Sequence, residues 1–346
     1  MTQALLDIKN LKIAYNGRGK AQQVLHGISL KVEAGHSVGI VGESGSGKSQ
    51  TALSVLRLLE GKPGIIGGEM NFNGLDLASL SESDMQKIRG HKISIIFQDA
   101  KAALIPYMTI KEQVLDTYKS LGGGRTKKQI VEEASGLLKE MNFSDPGKVL
   151  SSYPDQLSGG ECQRAYIMLS LLGHPQLLIA DEPTSSLDPV TSYKLVDLLK
   201  DICDKRNIAF VLISHDLAEI VRVTDFVYVF FNGRVVEEFP TSWIHNNTEP
   251  VHPYSRFLFS MYKGEAFAAL KNGKQKSGFT EAENKTGEDL QAGCIYAHRC
   301  AWKNELPDSV REKCETVHPG LKKNRKPGRV ACWGAECKSG QNAEDK

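Results

Sequence analysis

The chain has 346 residues, with 43 Lys and Arg against 41 Asp and Glu for a formal net charge of +2, and 40% of its residues are hydrophobic. That length allows two or three domains and a core that needs no disulfides. The near-neutral balance, with Lys and Arg scattered, leaves no nucleic-acid footprint, and apolar runs such as FVYVFF at 226–231 fall far short of the roughly 18 residues a membrane-spanning helix needs.

At the N-terminus, MTQALLDIKN has no basic region followed by an apolar run, so no signal peptide is expected and the protein is expected to stay in the cytoplasm. LLDIKNLKIAY and VLHGISLKV alternate as strands, a turn falls at Glu33-Ala34-Gly35, and SVGIVGE reads as a short apolar strand. SQTALSVLRLLE, which follows, has the apolar spacing of a helix. Between that strand and helix lies VGESGSGKSQ, Val41 to Gln50, which matches G-x-x-x-x-G-K-[ST] from Gly42 to Ser49. Gly42, Gly45 and Gly47, with Ser44 between them, let backbone N–H groups turn inward around anionic oxygens. Lys48 can then reach the outer phosphates of a nucleotide, Ser49 can bind Mg²⁺, and Gln50 follows in the first helical turn.

From about Ile110 to Ser170 the pattern is mainly helical, interrupted by LGGGRTKK and SSYPDQLSGG. Beyond it LLIADE, AFVLISH and FVYVFFNGRVVE read as buried strands, with the helix TSYKLVDLLKDICDKR among them. This predicts an α/β core carrying a helical insertion, with no internal repeat. The strand LLIADEP ends in two carboxylates: Asp181 can hold a metal through water, and Glu182 can orient and polarise the water that attacks a γ-phosphate. Gln98, in ISIIFQD, and His215, in VLISHD, each follow an apolar strand, at the sheet edge where ligands bind in open α/β folds.

LSGGECQR, Leu157 to Arg164, supplies a second anion-binding device. Ser158, Gly159 and Gly160 present a hydroxyl and bare backbone at the start of the helix through RAYIMLSLLG. One nucleotide does not need both devices from a single subunit.

Together with the phosphate loop, the run QLSGGECQRAYIMLSLLGHPQLLIADEPTSSLDP resembles the ATP-binding cassette family, and residues 5 to about 260 match that family in motif order. The resemblance implies a P-loop NTPase core with a helical subdomain at about 100–170 and an antiparallel β subdomain. It also implies ATP and Mg²⁺ as ligands, and a subunit pair in which the signature of one closes on the nucleotide of the other. By the same resemblance Tyr15 stacks on adenine, Gln98 senses Mg²⁺ and the membrane partner, Ser185 to Asp188 cross the subunit interface, and His215 acts as the switch histidine. Glu161 stands where the family usually has Gln. An acid suits a helix N-terminus, whereas beside the partner's triphosphate it would repel, so both readings stay open.

The polar run KNGKQKSGFTEAENKTGEDLQ reads as a linker, giving an expected division into a nucleotide-binding domain at 1–262, a linker at 263–291 and a cysteine-rich module at 292–346. Cys162 and Cys203 precede the linker, and Cys294, Cys300, Cys314, Cys332 and Cys337 follow it. In a reducing compartment such clusters point to metal ligands rather than disulfides. HPYSRFL, GCIYAHRC, EKC and GRVACW resemble the tail of oligopeptide and dipeptide importer ATPases. That resemblance implies a [4Fe–4S] cluster on Cys294, Cys300, Cys314 and Cys332. Zinc would accept the same sulfurs, Cys337 competes as a fourth ligand, and plain reduced thiols remain an alternative.

The expectation is thus the energy-coupling ATPase of a peptide importer, peripheral on the cytoplasmic face of the cell membrane. Its partners would be a second, unlike ATPase subunit, two transmembrane permease subunits and an extracytoplasmic substrate-binding protein, with no nucleic acid. A nickel or metallophore importer is the alternative within the class. A soluble cassette ATPase acting on DNA or ribosomes would carry two cassettes or a long coiled-coil insertion. A P-loop kinase would leave LSGGE and His215 without a task.

Overall fold

The computed structural model describes residues 4–16, 21–61, 63–122, 124–185, 187–246, 248–262, 292–324, 328–335 and 337. β1 (Leu6–Asn16), β2 (Ala21–Val32), β4 (Pro63–Phe72) and β5 (Leu75–Asp76) form an antiparallel sheet in the order β2-β1-β4-β5. In β1 the buried positions run Leu6, Ile8, Leu11, Ile13, breaking strict alternation. A register shift between Ile8 and Leu11 absorbs the extra residue, so all four keep to the inner face.

The second sheet positions the chemistry. β3 (Ser37–Gly42), β6 (Ile93–Ile96), β7 (Leu177–Asp181), β8 (Ala209–Ser214), β9 (Phe226–Phe231), β10 (Arg234–Pro240), β11 (Lys322–Lys323) and β12 (Arg329–Val330) lie in the order β11-β12-β10-β9-β3-β8-β7-β6. From β9 to β6 every neighbouring pair is parallel. β3, β7 and β8 are buried at every residue, which is why their sequences are unbroken apolar runs: parallel strands are covered on both faces.

Helix α1 (Lys48–Val55) follows β3, and α2 (Glu82–Ile88) precedes β6. Between β6 and β7 come α3 (Ala100–Ala103), α4 (Ile110–Ser120), α5 (Lys127–Glu140), α6 (Pro146–Ser151) and α7 (Gly159–Leu171). Thr109 and Thr126 start α4 and α5 with reciprocal capping boxes to Glu112 and Gln129. Ile110 and Val114 of α4, Ile130 and Leu137 of α5, and Ala165 and Met168 of α7 bury together with Val196 of α8 (Pro189–Arg206) in one core cluster. α9 (Leu217–Val223), α10 (Ser242–His245), α11 (Pro253–Tyr262) and α12 (Asp308–Thr316) complete the described helices.

Two expectations from the sequence need adjustment. The helix expected across SQTALSVLRLLE ends at Val55. Arg57 turns left-handed at φ 52°, and the Leu58 N–H bonds the Leu53 carbonyl at 2.9 Å, which closes the helix before LLE. The C-terminal segment is also less separate than its composition suggests. β12 pairs antiparallel with β10, Glu237 opposite Val330 and Glu238 opposite Arg329, so the tail extends the core sheet. The Arg329 guanidinium pairs with both oxygens of the Glu238 carboxylate at that seam. The linker at 263–291, and residues 338–346 of the module, lie outside the described residues.

Gly173, just after α7, fixes how the signature helix meets the entry to β6. A Cβ there would lie 1.8 Å from the Gly90 carbonyl oxygen and 2.7 Å from its carbon, both backbone atoms. We expect Gly173→Ala to cost about 1–3 kcal/mol through backbone displacement. Thermal unfolding checks this, and an unchanged melting temperature would refute it.

Candidate nucleotide site

The parallel register brings the motif ends to one edge. Val41 pairs with Ser214, Asp181 with Ile213, and Ile96 with Ala180. Gly42, Asp181 and Glu182, His215 and Gln98 therefore all leave the C-terminal ends of adjacent strands, the edge at which open α/β sheets bind ligands.

The loop from Gly42 to α1 is shaped by its glycines. At Gly42 a Cβ would meet the Phe230 carbonyl oxygen at 2.2 Å, so only glycine lets β3 end this close to β9. Gly47, at φ 98°, is the N-cap of α1 and supplies no capping side chain. The helix start is thus left to point bare N–H groups at a ligand. Ser46 Oγ is buried without a hydrogen-bond partner among the described residues, as a hydroxyl that takes an anion would be.

Lys48 is 4% exposed, and its ammonium donates to the carbonyls of Gly42 and Glu43, both at 2.9 Å. Burial lowers its pKa, while Glu182, Asp181 and Glu43 oppose the shift. Two of its three N–H bonds are committed to the backbone, which aims the third. Ser49 Oγ donates to Asp181 Oδ1 at 3.0 Å. Burial raises the Asp181 carboxyl, and neighbouring Glu182 adds to the rise, against the Ser49 bond and Lys48. Two hard oxygens in contact, one in a carboxyl that burial disfavours as an anion, suit Mg²⁺, whose charge would offset that penalty. On these observations the residues present fit the ion.

Glu182 is a non-glycine residue at φ 47°, held there by an N–H bond to the Ile213 carbonyl at 2.9 Å. Such backbone is costly and here turns the side chain off the strand line. Its Oε2 lies 3.5 Å from His215 Nδ1, and the His215 side chain is 67% exposed. Gln98 is exposed beyond β6, beside Asp99, which caps α3. Among the described residues no hydrogen bond joins Gln98 to Ser49 or Asp181. The Tyr15 hydroxyl donates to Gln50 Oε1, so these two candidates from β1 and α1 meet. Asp188 caps α8, and Ser186 lies outside the described residues.

At the signature, Ser158 caps α7, and its hydroxyl and N–H both donate to Glu161 Oε2, at 2.7 and 2.9 Å. These bonds hold the Glu161 carboxyl below the usual range, the Ser158 hydroxyl contributing most. Glu161 is thus engaged as the acid of a capping box. No hydrogen bond among the described residues links Ser158 to Glu161 with the loop at 42–50.

Cys294, Cys300, Cys314 and Cys332 line one cavity of about 10 Å³, with His252, Tyr296 and Trp302 among its other walls. Burial pushes the Cys294 thiol up to about 12, and raises Cys300, Cys314 and Cys332 as well. Among the described residues no group of three or more His, Cys, Asp or Glu is placed to hold a single metal ion.

Three participants escaped the sequence reading: Glu43, Tyr254 and Arg299. Glu43 Oε1 and Oε2 accept from the Arg299 guanidinium at 2.8 and 3.0 Å, across 256 residues of sequence. The Tyr254 hydroxyl accepts the Glu43 N–H at 2.9 Å. No local pattern signals such distant pairs.

The ABC transporter family profile matches residues 25–185. The oligopeptide transport ATP-binding protein AppD of Bacillus subtilis is 33% identical over 95% of this chain and 96% of its own length. A putative peptide import ATP-binding protein of Brucella melitensis, BMEII0206, is 36% identical over 87% and 88%. Among solved structures, the dimeric post-hydrolysis state of the ATP-binding cassette MJ0796, bound to ADP and Pi, is 28% identical with a TM-score of 0.61, covering 68% of this chain and 98% of that one. CbiO1 from Clostridium perfringens, part of the CbiONQ transporter complex, shares the fold at TM-score 0.61 and 21% identity over 78% and 99%. A phosphate loop, a carboxylate-tipped strand and a signature helix on this sheet, together with relatives matched over nearly their whole length, establish that the chain belongs to the ABC transporter family as an ATP-binding ATPase subunit.

Proposed function

We propose that this chain powers a peptide importer, paired with a second, unlike ATPase beneath two transmembrane permease subunits that a substrate-binding protein supplies. The observation that carries the paired reading is that the phosphate loop and the signature helix start are both formed, yet among the described residues no hydrogen bond joins them. A second subunit gives each device its counterpart. The dimeric cassette MJ0796 and the peptide-import names of the relatives support this. No described helix is long and apolar enough to cross a membrane, which suits a peripheral subunit at the cytoplasmic face. The division into 1–262, 263–291 and 292–346 belongs to the same proposal.

In this reading the backbone of Gly42 to Gly47 and the Ser46 hydroxyl cradle the phosphates, and Lys48 bridges the outer two. Ser49 and Asp181 would hold Mg²⁺, which would supply charge neutralisation to the phosphates. Glu182 orients the attacking water, with His215 beside it. Gln98 would face the metal and the membrane partner, and Tyr15 would lie against the base. Ser158, Gly159 and Gly160 serve the partner's nucleotide. Because Glu161 already accepts the Ser158 hydroxyl proton, that hydroxyl must turn from the carboxylate to reach a phosphate.

The cysteine shell belongs to the same proposal as the holder of a [4Fe–4S] cluster. Four cysteines line one cavity, the number a four-cysteine set needs. A single zinc would need the same sulfurs about 2.3 Å from one point, whereas a cluster would spread them over a wider core. The cavity of about 10 Å³ holds about one water, so the shell must widen on assembly, and the thiols must shed protons that burial now retains.

Three outcomes test these assignments. Glu182→Gln should keep ATP affinity and lower turnover by about 10²-fold or more, because the amide retains shape without the orienting charge; near-normal turnover in the intact complex refutes the role. Asp181→Asn should raise the melting temperature of nucleotide-free protein at neutral pH. The Asp181 pKa is raised on folding, so the penalty is absent below the ordinary carboxylate range, about 4, and grows as pH rises through the folded value. The gain should therefore vanish in acid, and a pH-independent difference would contradict the assignment. Anaerobic reconstitution should load about four irons per chain with a broad visible absorption lost in Cys294→Ser, whereas one zinc, or no metal, would overturn the cluster.

A further inference from the structure

We propose that Arg299 of the C-terminal segment is a positioning residue for the nucleotide site, acting through Glu43 of the phosphate loop. This rests on the nucleotide reading of that loop.

Glu43 is the second residue of the loop, and each of its polar groups is tied to a different part of the molecule. Its carbonyl accepts the Lys48 ammonium at 2.9 Å and the Ser46 N–H at 3.2 Å. Its N–H donates to the Tyr254 hydroxyl of α11. Its carboxylate is gripped by Arg299 in a two-pronged contact. A paired, planar contact fixes direction as well as charge, so it restrains the rotation of the residue whose carbonyl aims Lys48.

Arg299 is itself held. Its side chain is 13% exposed, and its guanidinium lies 5.5 Å from the Phe231 ring centre and 5.9 Å from that of Tyr296. Phe231 ends β9, beside β3, and packs against Tyr254 and Tyr296 with centroids 4.8 and 5.2 Å apart. Tyr296 and Arg299 both lie on the short loop between Cys294 and Cys300, whose thiols face the cysteine cavity. The path from that loop to Lys48 therefore crosses one ion pair and one residue.

Charge supplies a second reason for the pair. An unpaired Glu43 carboxylate would stand at the mouth of a site built for a triphosphate and repel it. Arg299 cancels that charge without occupying the site, and its burial against aromatic rings limits screening by water.

The test is a double-mutant cycle on the full chain, with MgATP and MgADP affinity measured by calorimetry and KM and kcat measured in the intact complex. Arg299→Ala should weaken MgATP binding about tenfold, as loss of a charged hydrogen bond implies, and should raise KM more than it lowers kcat. MgADP, carrying less charge, should lose less. Arg299→Lys should recover part of the affinity by restoring charge without the fork. Glu43→Gln added to Arg299→Ala should return affinity toward the parent, because the repelling charge is gone. Equal affinity in Arg299→Ala and the parent, even with a lower melting temperature, would overturn the proposal, as would strictly additive effects in the cycle. Lys48→Ala separates the two readings. If it abolishes binding while Arg299→Ala does not, only the positioning role fails; if neither matters, the nucleotide reading of the loop fails first.

Discussion

The parallel hydrogen-bond register of β3, β8, β7 and β6 is the constraint on which the site depends. Each pairing fixes where a strand ends relative to its neighbour, and a slip by one residue would turn every side chain to the other face. Val41 opposite Ser214 and Asp181 opposite Ile213 leave Gly42, Glu182 and His215 to emerge together. Burial of β3, β7 and β8 on both faces holds that register. The apolar core is therefore what brings Ser49 within 3.0 Å of Asp181, 132 residues away.

The charges at this edge are balanced against burial rather than against water. Lys48 is pushed toward losing its proton and Asp181 toward keeping one, and each moderates the other's shift. A phosphate–metal pair brings opposite charges to both at once. That makes the site better suited to the loaded than the empty state, and the left-handed backbone of Glu182 is a further local cost at the same edge.

Much of this was legible in the sequence because its signals are local. Glycine spacing, the polar ends of apolar strands and the hydroxyl with bare backbone at Ser158 to Gly160 each occupy fewer than about ten residues, and short-range geometry decides them. The expected helix runs past Val55 because LRLLE keeps helical spacing, while the left-handed turn at Arg57 depends on backbone bonds that composition does not encode. The cysteine-rich tail was visible by composition, yet its attachment was not: β12 is two residues long, too short for any period. The Glu43–Arg299 pair joins residues 256 apart, and only the folded chain brings them together.

That attachment alters how the tail must be regarded. A segment linked only through a flexible connector could change state without consequence for the nucleotide. Here the tail enters the core sheet through β12, closes over β9 through Tyr296, and reaches the phosphate loop through Arg299. Three separate anchors on three strands or loops leave little freedom for it to move as a unit without disturbing at least one. One of those anchors is an ion pair to the second residue of the phosphate loop. The tail and the phosphate loop are thus joined by direct contact, although 256 residues of sequence separate Glu43 from Arg299.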